Sequence, residues 1–337
     1  MDMLSWRQTL AKHQEPVLRK SIWQVLNSFL PYLCLCGVMV WTLQISYWLT
    51  LAVAVFAAGF MVRIFIIFHD CGHGSFFKSQ RANDWLGFVA GVLTFTPYHQ
   101  WRHKHALHHA TSGDLDRRGT GDIWTLTVRE YLAASRWKRL AYRVFRNPLV
   151  LFVVAPMYLF LIHQRIPSPG VGARERRGVH WTNGALLAIA ILMSLTIGVK
   201  AYLLIQLPVM MITGTVGLWL FYVQHQFDGV YWERRKDWGF AKAALNGSSF
   251  YKLPRFLQWF TGSIGFHHIH HLSPAIPNYN LEKCHGENPM FQEVKAITLW
   301  ASLKSMSFRL WDEQRKKLVG YCGLRDICKD RSLTARP

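Results

Sequence analysis

The six cysteines of this 337-residue chain, Cys34, Cys36, Cys71, Cys284, Cys322 and Cys328, form no C-x-x-C pair. That spacing argues against a disulfide framework and against a cysteine-ligated iron–sulfur cluster. No H-E-x-x-H occurs, so a zincin-type protease has no general base. Acidic residues are scarce, 19 Asp and Glu against 39 Lys and Arg, for a formal charge of +20. Internal repeats and low-complexity linkers are missing as well. The first 20 residues carry Arg7, Lys12, Arg19 and Lys20 with no apolar core or small-residue cleavage site, so the first span is expected to stay as an anchor rather than be cleaved.

What the chain has in abundance is apolar sequence. Hydrophobic residues make up 51%, with 15 Trp and 21 Phe, and four runs are each near the ~20 residues that cross a bilayer: about 25–44, 47–68, 181–199 and 201–223. The class that follows is an all-α polytopic membrane protein, four transmembrane helices in two hairpins, forming one domain over 1–337. Of the 39 Lys and Arg, 37 lie outside the spans and the short links within each hairpin, Arg63 and Lys200 being the exceptions. The positive-inside rule then places both termini and the segments 69–180 and 224–337 in the cytoplasm, and the same distribution argues against nucleic acid as the partner. Residues 147–162 are apolar but carry Pro156; spanning would put Arg165, Arg174, Arg176 and Arg177 outside, so this segment is read as embedded without crossing. Trp85 to Pro97 is too short to span and reads as interfacial or re-entrant. LTVREYLAASRWKRLAYRVF reads as a membrane-surface helix, SSFYKLPRFLQWF as an interfacial segment, and the tail from about 294 as an amphipathic cytosolic cap or surface helix. Pro31 is placed near the start of the first span, and Arg63 is read as snorkelling to the interface.

Against this background the histidines stand out. His267, His270 and His271 in GFHHIHHL fall at i, i+3 and i+4, one helical face, and His105, His108 and His109 in WRHKHALHHA repeat the spacing. His69 and His73 in HDCGH follow directly on the second span, and His225 ends the last, at the same level. His99, His103 and His268 fall on other faces. Neutral imidazole is a common ligand for transition metals, and so many converging nitrogens exceed the needs of one ion, so two metals are implied. The histidines sit at helix ends rather than within spans, which argues against a transport pathway. A nitrogen-rich pair of redox-active irons, open to oxygen and to a lipid-embedded hydrocarbon, fits that location. Asp228 is placed either to orient an imidazole or as a solvated helix-end carboxylate.

HDCGH, HALHH and HHIHH, with His225 after a membrane helix, resemble the three histidine boxes of membrane fatty acid desaturases in order and placement over nearly the whole chain. RIFIIFHDCGHGSFF, HHATSGDLDRRGTGDIW and GSSFYKLPRFLQW are similar to the acyl-lipid members of bacilli of the delta-5 type. The resemblance implies two iron ions held in a cytosolic helical cap by His69, His73, His105, His108, His109, His225, His267, His270 and His271. It also implies O2, electrons from a soluble donor such as ferredoxin or flavodoxin, phospholipid acyl chains as substrate, and a cis double bond as product in a multi-pass cell-membrane protein. Stearoyl-type members add a water-mediated asparagine one turn before the isolated histidine; here that position is Phe221, leaving Gln224 or a water for the tenth contact. The alternatives are a di-iron lipid or alkane hydroxylase of the same superfamily and a membrane metal-binding protein without turnover.

Overall fold

Two helical hairpins carry the apolar runs in the computed structural model, which describes residues 3–324. Cys328 and the end of the 224–337 segment lie outside those residues. After α1 (Met3–Ala11), the first hairpin is α2 (Leu18–Thr42) and α3 (Tyr47–His73), tied at its turn by the Thr42 and Thr50 hydroxyls, 3.0 Å apart. α2 starts well before the apolar run, so Pro31 stands inside the helix rather than near its start. The reason is tertiary. Its polar first turns are buried against the rest of the chain, the Ser21 hydroxyl donating to Phe76 O at 2.7 Å and Gln24 Nε2 to Asn278 Oδ1 at 3.0 Å.

α3 runs unbroken from the membrane span through the first histidine pair, as its length predicts, and stops at Gly74. There φ is +71°, a left-handed conformation that glycine adopts without Cβ strain, and the Gly74 N–H caps the last turn. α4 (Gln80–Leu93) packs on α3 as a short helix, and α5 (Tyr98–Thr111) carries the second histidine set. Tyr98 locks the three together: its hydroxyl donates to Cys71 O at 2.6 Å, and its ring lies so close to Gly87 that a Cβ there would sit 2.2 Å from it.

The basic stretch after α5 folds as α6 (Val128–Ala133), begun by a Thr127/Glu130 capping box, and the amphipathic α7 (Arg136–Phe145). A π turn at Val150–Val154 then leads into α8 (Ala155–Leu161), and the segment as a whole is bent 65° from α7. Against it packs the second hairpin, α9 (Ala173–Thr196) and α10 (Val199–His225), with Gly214 of α10 fitting beside Pro156. By length and composition four helices among the described residues can cross a membrane, and a fifth crossing arises only if the bent pair counts as one span.

Arg146 fastens this bend to the end of α10. Its buried guanidinium donates to Tyr222 OH (3.0 Å), Gln226 Oε1 (2.8 Å) and Phe308 O (2.9 Å), on either side of His225 and in the tail. Arg63 does not snorkel to the interface. It is buried, donates to Trp259 O and stacks 4.0 Å from the Trp259 ring, because α12 (Arg255–Phe260), introduced after α11 (Phe240–Asn246), covers α3 at that height.

The rest of the cap includes α13 (His267–Leu272), α14 (Asn278–Glu287), several shorter helical turns and, among the described residues, four three-residue strands. β1 (Phe250–Lys252) pairs in parallel with β2 (Ala296–Thr298), and β3 (Leu310–Asp312) forms a hairpin with β4 (Lys317–Val319). The tail is therefore not one amphipathic helix. Ile297 and Trp311 are buried in the core around the end of α10, which holds the chain extended where its composition alone suggests helix.

Candidate metal centre

Nine imidazoles from α3, α5, α10 and α13 meet at one end of the two hairpins. Ring nitrogens of His69, His73, His105, His109 and His270, one from each, all lie within 4.8 Å of one another, and those of His108, His225 and His271 form a second such group. His267 joins the second group, its Nε2 3.0 Å from His225 Nε2. His109 and His271 stack at 4.1 Å where the groups adjoin. The i, i+3, i+4 spacing does this: in α5, His105 and His109 face the first group and His108 the second, and in α13 His270 faces the first while His267 and His271 face the second.

The donor set suits metal. His108 Nε2 and His225 Nε2 are 3.1 Å apart, as are His105 Nε2 with His109 Nε2 and His109 Nε2 with His270 Nε2. Two metal–imidazole bonds of ~2.0–2.1 Å at right angles put their nitrogens about 3 Å apart. His69, His73 and His271 each hold a buried Nε2 with no protein partner. Burial pushes His105, His109, His267, His270 and His271 well below the ordinary imidazole range, and the neighbouring imidazoles push the same way. Neutral rings with free nitrogen lone pairs result, the form that binds metal.

The outer contacts hold two rings by carboxylates that the sequence reading passed over. Asp70 Oδ1 lies 3.0 Å from His69 Nδ1, and Asp122 Oδ1 lies 3.0 Å from His108 Nδ1. His225 Nδ1 faces Gly247 O at 3.3 Å. Asp228, considered as a partner for an imidazole, instead pairs with Lys304 at 2.9 Å at the surface. Asp70 was visible inside HDCGH as the residue beside a histidine; Asp122 lies 13 positions past the second box and has no local signal. Trp101 stacks on His105 at 4.2 Å, and Gly72 is the only residue that fits beneath it, since a Cβ would sit 2.8 Å from the indole.

The remaining histidines stay apart. His103 is exposed, and His99 lies against Tyr98. His268 is buried beside Phe250 and His285, and burial lowers it to about 3. Phe221 contacts both His108 and His225 with ring centroids 5.2 and 5.3 Å away, so no donor comes from that turn of α10. Gln224 Nε2 is spent on Ile264 O at 3.0 Å. A cavity of about 30 Å³ lined by Phe221, His225 and Asp122 is large enough for a water beside the second group.

Residues 46–298 match the model of the family described as "Fatty acid desaturase". The chain is 51% identical over 318 residues to the fatty acid desaturase of Bacillus subtilis, covering 94% of this chain and 90% of that protein. It is 29% identical to the sn-1 oleoyl-lipid 12-desaturase of Synechocystis, over 77% of this chain and 69% of the relative. A Synechocystis sn-1 acyl-lipid omega-3 desaturase (ferredoxin) is also 29% identical, over 65% and 62%.

Proposed function

The chain belongs to the fatty acid desaturase family, and from that premise we propose that it is a di-iron acyl-lipid desaturase that introduces a cis double bond of delta-5 type. The observation that carries this reading is the division of nine imidazoles into two adjoining groups, five nitrogens and four, with no carboxylate or thiolate among them. His69, His73, His105, His109 and His270 would hold one iron, and His108, His225, His267 and His271 the other. When bound, the irons supply the oxygen activation needed to take two hydrogens from adjacent methylene carbons, with two electrons and two protons balancing the reduction of O2 to two waters.

The chain's own contribution is to hold the rings. Asp70, Asp122 and Gly247 O each engage an Nδ1, leaving Nε2 turned inward. The apolar spans bring an acyl chain to the level of His69, in the last turns of α3, and of His225, the last residue of α10. Residues 1–337 act as one catalytic domain, with the centre and both termini on the cytoplasmic side by the charge distribution. Lipid acyl chains as substrate are supported by the Synechocystis relatives named for oleoyl-lipid and acyl-lipid desaturation. A soluble ferredoxin or flavodoxin as donor is supported by the relative named for ferredoxin and by the absence of paired cysteines in the sequence. Expression in a host without desaturases, followed by mass-spectrometric location of new double bonds, tests the proposal. A cis bond at carbon 5 of lipid-bound chains is expected; a hydroxylated product, or no product with oxygen uptake unchanged, contradicts it.

A further inference from the structure

Beside the second imidazole group lies a pocket of about 380 Å³, within the size range of small-molecule sites. Its lining begins at Phe227 and Asp228, directly after the last turn of α10, so it sits where that span leaves the apolar layer. Two lining groups are buried donors without a protein partner: the Ser248 hydroxyl, 0% exposed, and the Trp311 indole N–H, 1% exposed. Buried donors of this kind are costly unless something accepts from them. Lys242 and Lys295 complete the set. The acids of the lining are already engaged, Asp228 by Lys304 at 2.9 Å and Glu233 by Lys316. Besides the Asn246 amide, what remains on offer is hydroxyl, indole and ammonium, each able to donate.

We propose that this pocket binds the phosphate of the substrate lipid's headgroup. The inference rests on the reading of the chain as an acyl-lipid desaturase. A phosphate ester presents several acceptor oxygens and a negative charge, which matches a site made of donors and lysines. Exposed Trp300 and Leu303, close in sequence to Lys295 and Lys304, are side chains that suit a membrane interface. The pocket is joined to the centre by its own wall. Gly247, adjacent to Ser248, supplies the carbonyl that faces His225, and Trp232 lines both this pocket and the small cavity beside His225. A headgroup held there sets the first carbons of the acyl chain, rather than its methyl end, beside the second group. Counting from the ester end then follows from where the head is anchored.

The experiment uses the purified iron-loaded protein in nanodiscs that contain phosphatidylglycerol and the phosphate-free diglucosyldiacylglycerol with identical acyl chains. Two readouts are taken: the ratio of the two lipids converted, and the ratio of the two retained in native mass spectrometry. Lys242→Ala and Ser248→Ala are each expected to lower both ratios about tenfold, the worth of one charge-assisted or buried hydrogen bond. Lys236→Ala, at an exposed lysine outside the lining, keeps them. Inorganic phosphate at constant ionic strength is expected to compete with phosphatidylglycerol alone. Ratios unmoved by Lys242→Ala and Ser248→Ala overturn the headgroup site, and so does a pocket that binds inorganic phosphate while the lipid ratios stay fixed. Failure to desaturate either lipid counts against the desaturase reading, while the retention ratio still decides the pocket.

Discussion

His69 and Asp70, neighbours on α3, are joined side chain to side chain, Nδ1 to Oδ1 at 3.0 Å, while the other oxygen of Asp70 accepts both the backbone N–H of Asn278 at 2.7 Å and its side-chain amide at 2.8 Å. Asn278 in turn accepts from Gln24 of α2. One carboxylate therefore ties the first hairpin and the start of α14 to a single imidazole, and fixes which nitrogen faces the centre. Asp70→Ala is expected to weaken iron binding by about 10–100-fold. Asp70→Asn keeps Oδ1 but turns an NH2 toward two donors, so it recovers only part of the loss. Iron retained per chain after dialysis against a graded chelator series reads the effect; wild-type retention in Asp70→Ala would show that the carboxylate does not position His69.

The histidine faces could be read from spacing because a helix converts i, i+3 and i+4 into one direction, and α5 and α13 are helices. The spans were legible for a similar reason, being long and apolar. What escaped was set by contacts distant in sequence. Arg63 looked like a snorkelling residue until Trp259, 196 positions away, supplied a carbonyl and a ring. Asp122 and Asn278 carry no local pattern, and the tail from 294 breaks into short strands and helical turns, rather than one helix, because β1 and the core receive it. The division of the second box between two groups was not visible either, since His105, His108 and His109 share a face broad enough to serve both.

His99, His103 and His268 provide a direct check of that face geometry. Alanine at any of them is expected to leave two irons per chain, whereas alanine at any of the nine converging histidines removes iron and activity. His268→Ala costs thermal stability, because the ring fills a site among Phe250, His285 and Phe291. Iron counting on folded, purified variants distinguishes the two classes, and a His103→Ala protein holding one iron would refute the assignment.

The orientation of the bent segment before α9 is open to reporter fusions. Both Gly121 and Gly172 are expected to report cytoplasm, with Val150–Arg165 entering the apolar layer without crossing it. An external signal at Gly172 would make α7 and the bent segment a fifth span.

The proposed delivery of electrons by an acidic soluble carrier would make turnover sensitive to salt. The charge of +20 steers such a carrier over distances comparable to the Debye length, about 8 Å at physiological ionic strength. With a ferredoxin donor limiting, the rate is expected to fall as salt rises. A rate constant across that range would show that surface charge has no part in docking.

The central claim, that nine imidazoles and no other side chain hold a two-iron oxidising centre, is tested most directly by measuring iron per chain and product in the same preparation. Two irons per chain are predicted, with an acyl chain lighter by two hydrogens formed only when O2 and reductant are both present, and with iron and product lost together in His225→Ala. Full activity with one iron or with zinc alone, or a His225→Ala protein that still makes the double bond, would contradict the account.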